Sequence, residues 1–293
     1  MIVSASYRTD IPAFYAEWFS RRLEAGACTV INPYGGPVYE VRLDPRAVDG
    51  FVFWTRNAAP FAAALEAIAA RGTPFVVQFT LTAYPRILEV SVPPVETALA
   101  QIDGLYRRYG PRVVVWRYDP ILITSSIPPA WHLARFGELA AGLEGATDEV
   151  VVSFAQIYRK TARNLGRVAR RAGLAWHDPE RGEKRELLAE LAQTAARHGM
   201  RLTLCTQPDL AGNGLQAAAC IDARRLSDVA GHRIVARTKG NRPGCLCAQS
   251  RDIGAYDSCP HGCAYCYAVQ SRSAAKQRYR AHDPNGEAIT GTG

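Results

Sequence analysis

The chain has no run of about 18 apolar residues to span a membrane, and the apolar stretch at residues 2–6 is too short for the core of a secretory leader. A cytoplasmic protein without membrane partners is expected. Low-complexity tracts and internal sequence repeats are missing, which argues against solenoid and fibrous architectures. No nucleophile–base motif of a hydrolase is legible, and neither is a known nucleic-acid module or an aromatic–basic stripe. Acidic residues are in deficit, with 27 Asp and Glu against 35 Lys and Arg, a formal charge of +8. Such a balance favours acidic partners, nucleic acid first among them. Arginines such as Arg163, Arg167, Arg170 and Arg171 nevertheless read as a solvated helix face, and the locally basic run is Arg272 to Arg280.

What is present is a strand–helix rhythm. At 293 residues and 48% hydrophobic composition the chain can bury one large core. Residues 2–6 form a β-prone run, and a helical pattern opens at Asp10, a natural N-cap with Pro12 in the first turn, and stops at Gly26. Cys28–Asn32 and Val38–Leu43 read as a hairpin around a Pro33-Tyr-Gly-Gly36 turn. Strands are then expected at 51–55, 75–82, 113–118, 150–154 and 202–205. Between them come helices at 58–71, 94–109, 129–144, 160–172 and 183–198, several closed by glycine. Near-continuous apolar strands alternating with amphipathic helices call for a parallel sheet covered by helices. The expected fold is α/β, a (β/α)6-type partial or TIM-like barrel over residues 1–207. After Gln207 the rhythm gives way to Gly, Asn, Pro and Cys, including Gly212-Asn213-Gly214. Residues 208–293 are therefore expected to form a cysteine-rich segment packed over the barrel mouth, with a mobile tail from about Ala281.

In such folds the site lies at the carboxyl ends of the strands. The polar residues where the apolar runs stop include Arg8, Thr9 and Asp10, Arg56 and Asn57, Thr80 and Thr82, Arg117 and Asp119, Gln156 and Tyr158, and Cys205 and Gln207. Each serves equally as ordinary turn chemistry. As a set they outline a polar mouth. Arg117 and Asp119 are the candidates for orienting substrate or moving a proton there, or for a structural ion pair.

Eight cysteines in a cytoplasmic composition, five of them between 245 and 266, read as metal ligands rather than disulfides. Cys259-Pro-His-Gly-Cys263-Ala-Tyr-Cys266 offers three thiolates, a density that selects zinc or an iron–sulfur cluster. A structural zinc site closes its tetrahedron with protein ligands, whereas three cysteines on a four-iron cluster leave one iron open. His261 within the loop either shapes the turn or hydrogen-bonds a sulfur.

The spacing C-x3-C-x-Tyr-C resembles the signature of the radical S-adenosylmethionine (SAM) superfamily, and Gly262 to Ala268 looks most like spore photoproduct lyase and its relatives. The longer string from Cys245-Leu-Cys247 through Ser250-Arg-Asp-Ile-Gly254-Ala-Tyr256 resembles a bacterial domain family of near-identical length that brings no reaction with it. The first resemblance implies a radical SAM enzyme, in which Cys259, Cys263 and Cys266 hold a [4Fe-4S] cluster that binds SAM. It also implies an electron donor such as flavodoxin or ferredoxin, and Tyr265 packed near the adenine. Arg8, Asp10 and Asn57 are the mouth residues offered to the cofactor. The superfamily carries its cluster loop after the first strand, whereas here it follows the last. Gly35-Gly36 with Glu40 is read as turn chemistry. Cys205, Cys220, Cys245 and Cys247 are the number needed for a second, protein-ligated cluster, while Cys205 and Cys220 also suit burial as small hydrophobes, as Cys28 does. The alternative from another class is a zinc-stabilised protein that binds nucleic acid or a partner without catalysis.

Overall fold

The structure is a computed structural model, and it describes residues 1–33, 35, 37–212 and 214–291. Gly36 and Asn213, both expected in turns, lie outside the described residues. In chain order the strands and helices are β1 (Ile2–Ala5), α1 (Ile11–Phe14), α2 (Ala16–Ala25), β2 (Ala27–Val30), β3 (Tyr39–Arg42), β4 (Gly50–Thr55), α3 (Ala62–Ala70), β5 (Phe75–Thr80) and α4 (Val95–Tyr109). They continue with β6 (Val114–Ile121), β7 (Ile123–Thr124), α5 (Pro129–Gly142), β8 (Glu149–Phe154), α6 (Arg159–Ala172), β9 (Trp176–His177), α7 (Arg181–Arg197) and β10 (Arg201–Leu204). The last are β11 (Gln216–Ala217), α8 (Ala223–Ala230), β12 (Ser250–Asp252) and α9 (Arg272–Arg280).

Local chemistry sets the boundaries. Asp10 caps α1 by accepting from the Ala13 N–H at 3.0 Å, and α2 ends at Gly26 with φ 78°, the left-handed stop that glycine takes without strain. α7 opens with a reciprocal capping box between Glu180 and Glu183. The expected hairpin is present as the antiparallel pair β2–β3.

The protein is mixed α/β, with eight strands in one sheet in the order β11-β10-β8-β6-β5-β4-β1-β12, all parallel. Strand residues alternate between its two faces. On one face Val3, Phe51, Phe53, Val77, Trp116 and Val152 pack with the buried sides of α2, α3, α4, α5 and α7. On the other, Ile2, Val52, Val76, Val115 and Val151 pack with Ala218, Cys220, Ile221, Leu226 and Cys247. The chain after β10 thus covers a sheet face as well as contributing both edge strands, β11 and β12. α8 is anchored there by Arg225, which is 2% exposed and pairs with Asp148 at 2.9 Å and Glu149 at 2.7 Å.

β12 lies alongside β1 in register Ile2↔Ser250, and is therefore spatially first although last in sequence. The tail beyond α9 is docked rather than free: the Trp18 indole N–H donates to Gly286 O at 3.0 Å, the Thr29 N–H to Glu287 O at 2.9 Å, and Ile289 is 5% exposed. Donors on α2 and β2, namely Trp18, Arg22 and Thr29, are what hold it.

Candidate functional site

β12 ends in Asp252, and this buried carboxylate ties the strand to β1. It accepts from Ser4 Oγ at 2.7 Å, Ser6 Oγ at 2.8 Å, Arg8 Nε at 2.9 Å, the Tyr7 N–H at 3.2 Å and the Gly254 N–H at 3.0 Å. A side chain at residue 254 would collide with Ser6, so the close approach of the two segments requires glycine. Arg8, offered above to a cofactor, is committed to this knot, and desolvation set against Asp252 leaves its pKa above the usual arginine value.

From this knot the chain runs into the cysteine loop, which is held at the carboxyl ends of the strands by three contacts. Residues 88–91, which follow β5, pair antiparallel with it: the Ala264 N–H donates to Leu88 O at 2.8 Å and the Ser91 N–H to His261 O at 3.0 Å. The Tyr15 hydroxyl donates to Ser258 O at 2.7 Å. Both His261 nitrogens meet protein oxygens, Nε2 at 2.8 Å from Asp10 Oδ2 and Nδ1 at 3.1 Å from Ser91 O, and the ring stacks edge-on against Phe14. His261 therefore shapes the turn. Asp10 joins this loop to β4 as well, accepting from the Arg56 N–H at 2.8 Å. Gly262 has φ 79° and lies against Arg272, so a side chain there would be both strained and obstructed.

Cys259, Cys263 and Cys266 are each half-buried and free. Burial pushes all three thiols up, Cys263 to about 12, and Asp10 together with the other two thiols adds to the effect at Cys259. Opposing this, Arg56 favours ionisation of Cys263, and Arg56 with Lys160 favours that of Cys266. The Ala268 N–H points at Cys266 Sγ at 3.3 Å. Three thiols close enough to disfavour one another's ionisation, with two cations and an amide directed at them, suit a soft cationic group that replaces their protons.

Tyr265, between the second and third cysteines, is 6% exposed, and its hydroxyl is part of a buried polar group. Arg56 donates to it at 2.6 Å, it donates to Glu89, and Glu89 also pairs with Arg56 at 2.9 Å and accepts from Thr82 at 2.6 Å. Its ring packs edge-on against Tyr84. Asn57 accepts from Gln101 at 2.9 Å and from the Ala59 N–H at 3.3 Å, a turn-forming role.

Cys205, Cys220, Cys247 and Cys245, which span 43 residues of sequence, meet on the second sheet face. Cys205 and Cys220 sulfurs are 3.7 Å apart, and Cys220 contacts Cys247, which contacts Cys245. Two guanidiniums reach them: Arg117 Nη1 is 2.9 Å from Cys220 Sγ and Arg242 Nη2 is 3.9 Å from Cys205 Sγ. Cys245 is lowered to about 6, mainly by its hydrogen bond from Cys247, whereas at Cys247 the contact with Cys220 lowers the pKa but is outweighed by the contact with Cys245 and by burial, which push it up to about 11. Arg117 is also paired with Asp119, which accepts from the Ser153 hydroxyl, so the ion pair expected at the end of β6 is present and borders these thiols.

Among the described residues no three His, Cys, Asp or Glu converge as ligands of a single ion. A cleft of about 290 Å3 lined by Met1, Ile2 and Ser250 opens at the amino ends of β1 and β12, the far end of those strands from the cysteine loop. Sequence reasoning missed Glu89, Ser91, Tyr15 and Asp252. The signal for Asp252 was an acid inside a short run between two cysteine motifs; the others sit in stretches without a motif. No helix among the described residues is long and apolar enough to cross a membrane.

No curated protein and no solved structure matches the chain. A family model matches residues 2–268, nearly the whole length, and the chain belongs to that family, described as Domain of unknown function (DUF1848).

Proposed function

We propose that the protein is a radical SAM enzyme whose cluster loop is Cys259–Cys266, built on a partial β/α barrel. The observation that carries this reading is the position of β12. It stands beside β1 as the spatially first strand of the parallel series, and the cysteine loop follows from its carboxyl end. The superfamily's placement of the loop after the first strand is thus matched in space while the chain order is changed.

The donor set supports a cluster. A structural zinc site usually closes its tetrahedron with protein ligands, whereas the three thiolates of Cys259, Cys263 and Cys266 would leave one iron of a four-iron cluster open. When bound, such a cluster with SAM on its open iron supplies the electron that cleaves a carbon–sulfur bond of SAM, giving a radical that takes hydrogen from substrate. The chain's own residues have defined tasks around it. Asp10 and Tyr15 fix the loop from α1 and the start of α2. Arg56 and Lys160 favour the thiolate forms. Glu89 and Arg56 hold the Tyr265 ring in place. Arg117 and Asp119, at the end of β6, are the polar groups offered to substrate.

Cys205, Cys220, Cys245 and Cys247 would hold a second, fully protein-ligated cluster, with Arg117 and Arg242 offsetting its negative charge. An electron donor of the flavodoxin or ferredoxin kind completes the system.

The test is anaerobic purification with measurement of iron, sulfide and zinc, and EPR of the reduced protein with and without SAM. About four irons per chain with a SAM-perturbed signal are expected from the first site, and about eight with both. Alanine at Cys259, Cys263 or Cys266 should abolish the SAM-perturbed signal, whereas alanine at Cys220 should lower iron by about four and spare it. Zinc alone, with no response to SAM, refutes the proposal.

A further inference from the structure

α6 carries six cations, Arg159, Lys160, Arg163, Arg167, Arg170 and Arg171, and no anion, and α9 carries four cations and no anion. Their ten positive charges exceed the formal +8 of the whole chain, so everything else is net acidic by two. The basicity is therefore a local field rather than a general solubilising charge. The five arginines of α6 are exposed, and among the described residues no carboxylate forms a salt bridge with any cation of this helix. Arg159, Arg163, Arg167 and Arg171 recur every four residues, about 6 Å apart along one side of the helix.

The two helices flank the cysteine loop. Arg163 donates to Gln270 O at 3.3 Å and Asn164 to Val269 O at 3.5 Å, on the stretch that joins Cys266 to α9. Lys160 lies 5.4 Å from the Tyr256 ring centre, on the segment that leads into the cysteine loop. Arg272, the first residue of α9, donates to Ser91 Oγ at 2.8 Å beside the loop.

Three exposed tyrosines stand in the same region: Tyr158 caps α6 and is 45% exposed, Tyr267 follows Cys266 and is 43% exposed, and Tyr279 lies in α9 at 39%. The Tyr267 hydroxyl turns inward to donate to Tyr7 O, which leaves the ring as its exposed part.

We infer that α6, α9 and the rim of the cysteine loop form a binding surface for single-stranded nucleic acid, with arginines on the phosphates and the tyrosine rings available for base stacking. Cations in a row with partly exposed aromatic rings beside them, at the N-cap of α6, after Cys266 and in α9, are what an unpaired strand needs and what an acidic protein does not. A membrane surface fits poorly, because the apolar side of α6, with Leu165 and Val168, is already packed with Leu88, Tyr84 and Tyr265. As the substrate class of the proposed chemistry this rests on the radical SAM reading; as a surface it stands apart from it.

The test is fluorescence anisotropy of labelled 20-nucleotide single-stranded DNA and RNA and of a 20-base-pair duplex against the anaerobic full-length protein, from about 50 to 200 mM salt. With about five phosphates engaged, log K should fall against log salt with a slope of roughly −3.5 on single strands. The Arg163→Gln/Arg167→Gln/Arg170→Gln variant, altered only at exposed positions, should lower that slope by about 2, and Tyr267→Ala should weaken single-strand binding roughly 5- to 150-fold. No binding at 50 mM salt, an unchanged slope in the arginine variant, stronger binding to duplex, or full competition by polyglutamate would each overturn the inference. Iron content and SAM-perturbed EPR are measured on the same preparation. Binding without that signal upholds the surface and removes the radical reading, and the signal without binding does the reverse.

Discussion

Replacing Glu89 with alanine strips Arg56 of its carboxylate partner in a setting where the arginine side chain is 9% and the glutamate 2% exposed. The guanidinium keeps the Tyr265 hydroxyl and Thr82 as neighbours, but neither carries the compensating charge. Leaving one member of a buried pair unpaired costs about 3–5 kcal/mol. For a chain of this size each kcal/mol is worth roughly 2–4 °C, so the melting temperature should fall by roughly 6–20 °C. Thermal and urea unfolding of the metal-free protein measure this directly. The Arg56→Met/Glu89→Leu double variant removes both charges and should recover most of the loss, because buried pairs are often replaceable by apolar residues of similar size. Glu89→Ala should also reduce iron retention by the loop, since Tyr265 sits between two of its cysteines. A cost below about 1 kcal/mol for Glu89→Ala, or a double variant as unstable as the single, refutes the reasoning.

Asp252→Asn should loosen β12 from β1 by removing the charge that Arg8, Ser4 and Ser6 satisfy, with a loss of about 1.5–3 kcal/mol, seen as faster limited proteolysis around residues 237–257. His132 is fully buried, with Nδ1 accepting from the Tyr118 hydroxyl at 2.8 Å and Nε2–H donating to Leu122 O at 3.1 Å, so both contacts suit the neutral ring. Desolvation lowers its pKa from 6.5 to about 4. The unfolded chain therefore binds a proton that the native state refuses between these values, and about 3 kcal/mol of stability present above pH 6.5 is lost as pH falls to 4. Urea titrations at pH 4.5 and 7 should show a smaller difference in His132→Gln. Arg225→Met should cost about 3–5 kcal/mol by leaving Glu149 buried without its 2.7 Å partner, measured by urea unfolding, while Arg224→Met on the exposed side of α8 should change stability by less than about 0.5 kcal/mol.

Most strands and helices through β10 were legible because each buried strand is a compact apolar run, as in Phe51-Val-Phe-Trp-Thr55, and each covering helix repeats its apolar residues on one side, but the two-residue β7 and β9 and the break at Tyr15 that divides the expected first helix into α1 and α2 were not. β12 was not, because Ser250-Arg-Asp252 is three polar residues whose strand state comes from pairing with β1 and not from their own pattern. The docking of residues 282–289 was hidden for a similar reason: its partner, the indole N–H of the buried Trp18, belongs to α2. In the candidate site the three loop cysteines were visible through spacing alone. The union of Cys205 and Cys220 with Cys245 and Cys247 was visible only as a count, since contact among them depends on the sheet bringing β10 beside the later loops. Glu89 gave no signal, because a buried acid looks like any surface acid until its arginine is found. The basic surface escaped notice as a stripe because residues 158–171 and 267–280 lie more than ninety residues apart and become neighbours only after the chain returns to the sheet.

The placement of β12 has a consequence for how the protein is made. Strand β1 pairs on one side with a strand that leaves the ribosome 248 residues later. At roughly 5–20 residues per second, that leaves tens of seconds in which β1 pairs only with β4 and one of its edges waits open. The cysteine loop emerges last of all the sheet-bound segments, into a frame whose other walls already exist. Under the proposed function, loading of the cysteine loop would thereby be ordered after folding of the sheet, and the segment that closes the open edge is the same one that presents the thiols.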